Sequence, residues 1–119
     1  MTKLKVQIDK FHYLEGAYVI GEKHYEVQKL IEAAKNLEEF DLPLVGINLN
    51  HQITRGTVYS YLYHAKRVEA ANLDYPIILD DMGYICDGWH RVTKAILLGH
   101  STIKAKRLVV MPEYEIVKQ

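Results

Sequence analysis

Cys86 is the chain's single cysteine, so no internal disulfide is available. A lone thiol suits a reducing compartment. Three prolines, and no stretch rich in glycine and serine, leave no linker on which to divide the chain. No apolar run approaches the roughly 20 residues that cross a bilayer. Met1-Thr2-Lys3-Leu4-Lys5 has no signal-peptide core. A cytoplasmic protein with no membrane partner is therefore expected. Net charge is missing too. Fifteen Lys and Arg balance fifteen Asp and Glu, so the whole molecule does not attract nucleic acid or membranes. There is no Walker loop and no GxGxxG. His12, His24, His51, His64 and His100 show no metal-ligand spacing.

What is present suits one domain. The 119 residues support one domain with a single modest core over 1–119. Leu4, Val6 and Ile8 alternate with Lys3, Lys5, Gln7 and Asp9, the period of a half-buried strand. Tyr18-Val19-Ile20 reads as a short strand ended by Gly21. Val27, Leu30, Ile31, Ala34 and Leu37 recur at helical spacing, which predicts a helix from Lys23 to about Phe40. A strand is expected over Leu44 to Leu49 and a loop over His51 to Gly56. A second helix is expected over Thr57 to Asn72, with Val58, Leu62, Ala65 and Val68 on its buried stripe. Ile77-Ile78-Leu79 and Tyr84-Ile85-Cys86 flank Asp80-Asp81-Met82-Gly83, a hairpin whose aspartates suit a turn better than a metal pair. Trp89 to Leu98 reads as a third helix burying Val92, Ala95 and Ile96, with Gly99 at its C-terminal cap. Ile103 to Val110 is the last strand. The expected fold class is α/β (α+β), a single compact domain with a small mixed sheet and about three helices.

Charge is unevenly spread. Acids dominate from Glu15 to Asp41, whereas Gly88 to Pro112 holds no acid and carries Arg91, Lys94, Lys104, Lys106 and Arg107. This block is either a solvated face or the footprint of an anionic partner. The third helix sharpens the question. Its first N–H groups have no intrahelical acceptor, and the helix dipole makes that end positive. Yet His90 and Arg91 stand there, with Lys94 a turn later. A phosphate or carboxylate would meet the amides, the Gly88 backbone and the Arg91 fork together. Asp87 has three readings: a plain N-cap, a Mg²⁺ ligand, or a general base. Trp89 either packs or stacks on a ligand ring. His51 and Arg55 are further candidates from the preceding loop. Cys86 reads as a buried, inert thiol.

The run Pro76-Ile77-Ile78-Leu79, then Gly83-Tyr84-Ile85-Cys86-Asp87-Gly88-Trp89-His90-Arg91, then Ala95, Gly99 and the strand Ile103 to Val109, resembles the core of the ParB/sulfiredoxin superfamily. The resemblance covers about Leu44 to Val110, which implies a core unit over about 44–110 preceded by an N-terminal strand–helix extension over 1–43. It implies a nucleotide polyphosphate (ATP, ADP or CTP, with Mg²⁺) contacted by Gly88, His90 and Arg91. Asp-Gly-x-His-Arg is most similar to the box of the ADP-dependent free serine kinases, in which the aspartate serves the chemistry, and so implies a phosphotransferase. The upstream glutamate of those kinases has no assigned counterpart here. Sulfiredoxins place their nucleophilic cysteine immediately before His-Arg, where this chain has Trp89, so sulfinic-acid reduction is not expected. The Gly-Glu-Arg-Arg box and helix-turn-helix of chromosome-partition ParB proteins are also missing.

Two other readings stand beside the nucleotide-binding one. A non-catalytic module could grip nucleic acid or an acidic protein with Lys104, Lys106, Arg107 and exposed tyrosines, which would equally suit a homodimer. Alternatively the box merely builds a hairpin–helix corner.

Overall fold

The computed structural model describes residues 4–11 and 16–118. Lys3, His12 and Glu15, which entered the reading above, lie outside the described residues. The described elements are β1 (Ala17–Ile20), β2 (Lys23–Glu26), α1 (Val27–Ala34), β3 (Phe40–Pro43), a 3₁₀ turn (Leu44–Gly46), α2 (Val58–Ala70), β4 (Ile77–Leu79), β5 (Ile85–Asp87), α3 (Trp89–Leu97), β6 (Thr102–Arg107) and β7 (Glu115–Ile116). They form a mixed α/β domain with three helices and two small sheets among the described residues.

The four-stranded sheet has the order β3-β6-β4-β5. β4 runs parallel to β6, while β3–β6 and β4–β5 are antiparallel. Central strand β4 is apolar at every position because both of its faces are covered. Ile77 and Leu79 point to one side, where they pack with Val92 and Ala95 of α3, Ile103 and Ala105 of β6, and Leu44. Ile78 points to the other, where Tyr25, Leu30, Ala34, Cys86 and Leu108 close a second cluster. A three-stranded sheet, order β1-β2-β7, adjoins this second layer.

Several expectations are corrected. Leu4, Val6 and Ile8 form no strand: no described strand pairs with them, and Leu4 and Val6 stand 96% and 82% exposed. The first helix is shorter than its periodicity predicts. Gly21 adopts φ 60°, the chain reverses, and Lys23–Glu26 pairs with Ala17–Ile20 before α1 starts. Tyr25 is buried there between the rings of Tyr18 and Tyr114. The strand expected over Leu44 to Leu49 lies earlier, at Phe40–Pro43, because its register is set by β6. α2 forms where expected, with Thr57 capping the Ser60 amide at 3.0 Å, but none of its residues is fully buried and Val58 and Leu62 face outward. On α3, Val92 and Ala95 are buried but Ile96 is not. β6 ends at Arg107 rather than Val110.

Candidate functional site

The hairpin that delivers the site is held by Asp80. Its carboxylate is buried and accepts hydrogen bonds from the amides of Met82 and Tyr84, each at 2.9 Å, and from the Tyr18 hydroxyl at 2.9 Å. Burial and the Asp80 carboxylate push the Tyr18 phenol well above its ordinary value. Asp80 thus organises the turn, as its position beside Asp81 suggests. On the return strand the Cys86 thiol is buried and donates to the Ile78 carbonyl at 3.3 Å. Burial, with Asp87 and Asp80 nearby, pushes it up to about 12, so it carries essentially no thiolate at neutral pH.

Gly88 stands between β5 and α3 with φ 116° and ψ 19°. A β-carbon there would lie 2.5 Å from Ile77 Cγ2 and 2.8 Å from Ile77 Cβ. The glycine is therefore required by its backbone conformation and by the packed core strand behind it, rather than by ligand approach alone. No side chain caps α3. Asp87 instead turns to Arg91, one helical turn on, at 2.7 Å.

The cations expected to await an anion are largely engaged. Arg91 Nη1 donates to the carbonyls of Pro76 at 2.8 Å and Tyr75 at 3.2 Å, and Nη2 donates to Asp87 Oδ2. Its side chain is 16% exposed. The guanidinium staples α3 to the start of β4 with these contacts, and its side chain also lines the cleft described below. Lys94 reaches the carbonyls of Glu69 and Ala71, at 2.8 and 2.7 Å, and caps the C-terminus of α2, where a cation suits the helix dipole. Lys106 does the same for α1 through Ala34 and Lys35. Arg107 donates to the Asp81 carbonyl at 2.8 Å. His51 lies flat on Trp89, ring centres 4.4 Å apart and 6° from parallel. Trp89 also packs on the core, which selects the packing reading for this residue.

His90 makes a contact the sequence did not announce. Its Nε2 lies 2.8 Å from His64 Nδ1, and the two rings stack at 5.0 Å. Burial, then Arg67, His64 and Arg91, lower His90 to about 3, and burial and Arg67 also lower His64. Both rings are neutral at pH 7, so one nitrogen donates and the other accepts.

Arg67, on α2, is the functional candidate missed in the sequence. Its guanidinium makes no ion pair among the described residues and lies 3.4 Å from the centre of the Phe11 ring and 5.9 Å from that of Tyr63. Burial lowers its pKa, opposed by Tyr63 and Asp87, and the group remains protonated at any ordinary pH. Tyr63 one turn earlier was the only local signal; Phe11 lies too far away in sequence to have given one.

Arg67 opens onto a cleft of about 1,030 Å³ between α1, α2 and the start of α3. Its wall carries Asp87, Gly88, His90 and Arg91, so the structure brings together four of the residues singled out in sequence. The cations Lys10, Lys35, Lys66, Arg67, Arg91 and Lys106 face the acids Asp9, Glu32 and Asp87, and Phe11, Val27, Ile31, Tyr75, Pro76 and Ile78 supply apolar surface. His51 and Lys94 are not on this wall. Arg55 lies in a neighbouring hollow of about 1,190 Å³, with Gln52, Thr54, Ser60 and His64.

Among the described residues no three His, Cys, Asp or Glu side chains converge, and Asp87 has one carboxylate oxygen committed to Arg91. Among the same residues no helix is long and apolar enough to cross a membrane. No protein-family model, no curated protein and no solved structure matches the chain.

Proposed function

We propose that this domain binds a phosphate-bearing ligand, of which a nucleotide polyphosphate is the best-fitting class, in the cleft between α2 and the Asp87-Gly88-Trp89-His90-Arg91 turn. The observation that carries the reading is the surplus of cations on the cleft wall. Lys10, Lys35, Lys66 and Arg67 make no ion pair among the described residues, and Asp87 attracts Arg67 only from beyond ion-pair distance. A partly buried guanidinium without a counter-ion costs free energy that a phosphate would recover through charge-assisted hydrogen bonds. The apolar patch beside it suits a base, and the volume suits a mononucleotide. This is the ligand class that the ParB/sulfiredoxin-like resemblance implies, with the anion held chiefly by α2 rather than by Arg91.

The reading is one of binding. Asp87 could serve as a base in phosphoryl transfer only after parting from Arg91, so a phosphotransferase is an extension of the proposal. Nucleic-acid binding by β6 has less behind it. Lys106 and Arg107 are engaged with backbone carbonyls, which leaves Lys104.

The test is a melting-temperature titration with ATP, ADP and CTP, with and without Mg²⁺. A ligand at 100 times its Kd should add about 2.7 kcal/mol of stability. Wild type should shift and Arg67→Met should not. No shift with any nucleotide overturns the reading.

A further inference from the structure

The N-terminal segment 4–11 enters no sheet, yet it is not idle. Asp9 donates its backbone N–H to the Tyr59 hydroxyl at 3.2 Å, and Phe11 lays its ring over Arg67 at 3.4 Å. Asp9 and Lys10 line both the cleft and the neighbouring hollow, so this short stretch forms the partition between them. Arg67 is the cation on which the proposed binding rests, and the planar face of its guanidinium is occupied by a ring of the same chain.

We infer that residues 9–11 are an internal occupant of the cleft, with Phe11 standing where the ring of a ligand stacks, so that the ligand must displace this strap to bind. The inference rests on the nucleotide-binding reading and deepens it. It makes the preferred ligand one with a planar ring as well as phosphate, because the ring replaces the Phe11 contact that is lost. The hold is light enough to be exchanged. Among the described residues its directional contacts are one long hydrogen bond and one cation–ring contact, Phe11 remains 37% exposed, Ile8 is half-buried, and the neighbouring Leu4 and Val6 are exposed and add no anchor. A nucleobase offers the same flat π-face, and its phosphates can take the guanidinium's in-plane N–H groups, which phenylalanine leaves unused.

The experiment measures ATP affinity in wild type and Phe11→Ala by calorimetry, together with the rate of tryptic cleavage after Lys10 in wild type with and without ATP. Removing the competing ring should tighten ATP binding about 2- to 30-fold, the range expected for a cation–ring contact. ATP should speed cleavage after Lys10 as the strap leaves. Equal ATP affinities overturn the inference and leave the binding reading intact. So does protection of Lys10 by ATP, which would make the strap a cover over the ligand rather than its competitor. Failure of both proteins to bind ATP, ADP or CTP overturns the binding reading and the inference with it. Binding by Phe11→Ala alone supports both.

Discussion

Replacing Arg91 by methionine separates a structural guanidinium from a ligand-binding one. Methionine keeps an apolar stem against the same neighbours but removes every donor. Three contacts disappear: the bonds to Pro76 and Tyr75 at 2.8 and 3.2 Å and the ion pair to Asp87 at 2.7 Å. Two carbonyls and a carboxylate that is 22% exposed lose their partner. Breaking a fully buried pair costs about 3–5 kcal/mol, and water can reach Asp87 in part, so the expected loss is about 2–4 kcal/mol. At roughly 3–6 °C per kcal/mol for a domain of this size, the melting temperature should fall by about 6–24 °C. Denaturant unfolding followed by circular dichroism measures it, with an unchanged slope showing that the folded state is otherwise intact. Asp87→Asn combined with Arg91→Met should cost less than the sum of the two single changes, because each alone strands the other's group. The reasoning fails if Arg91→Met costs under about 1 kcal/mol while nucleotide binding disappears. Arg91 would then be a ligand-binding group held in place by nothing.

Three further outcomes follow from the same geometry. Gly88→Ala forces a β-carbon into Ile77 and a strained positive φ, and should destabilise by about 2–5 kcal/mol in thermal melts; a loss under about 0.5 kcal/mol would show that β4 gives way freely. His90 lies near 3 when folded, below its ordinary 6.5, so the unfolded chain binds more protons between those values. Its contribution to stability is complete above about pH 6.5 and is lost as the pH falls toward 3, and His90→Gln should flatten that slope in denaturant titrations; an unchanged slope contradicts the assignment. Cys86, buried and pushed up to about 12, should resist a thiol reagent at pH 8 until the chain unfolds, and rapid native-state labelling would place it elsewhere.

The second half of the chain was the more legible, and the reason is locality. The β4–β5 hairpin and α3 are specified by neighbours in sequence: Asp80 bonds two amides of its own turn, Gly88 breaks the strand, and Gly99 ends the helix with φ 80°. The first half depends on distant partners. Lys23–Glu26 precedes an apolar repeat that begins at Val27 and reads as part of that helix, yet the backward turn at Gly21 and a pairing with β7, some ninety residues on, make it a strand. The alternation of Leu4, Val6 and Ile8 was real, but period alone does not supply a neighbouring edge.

The site divided in the same way. Asp87, Gly88, His90 and Arg91 were gathered by their spacing and share one cleft wall, and the sequence carried an electrostatic conflict at the helix start. Its resolution was not visible. Arg91 is satisfied by Asp87 and by carbonyls fifteen and sixteen residues back, Lys94 by another helix's end, and His90 by remaining neutral. Arg67, which makes no ion pair among the described residues, was not singled out in the sequence, because the surfaces that half-bury it come from elsewhere in the chain.

The central claim is that α2, through Arg67, meets the phosphate while Arg91 holds the fold. Titrating ATP into protein carrying nitrogen-15 arginine and following the side-chain Nε–H signals tests it directly. The account predicts that the Arg67 signal moves with saturation and the Arg91 signal stays where it is. Movement of Arg91 with Arg67 unchanged would contradict it.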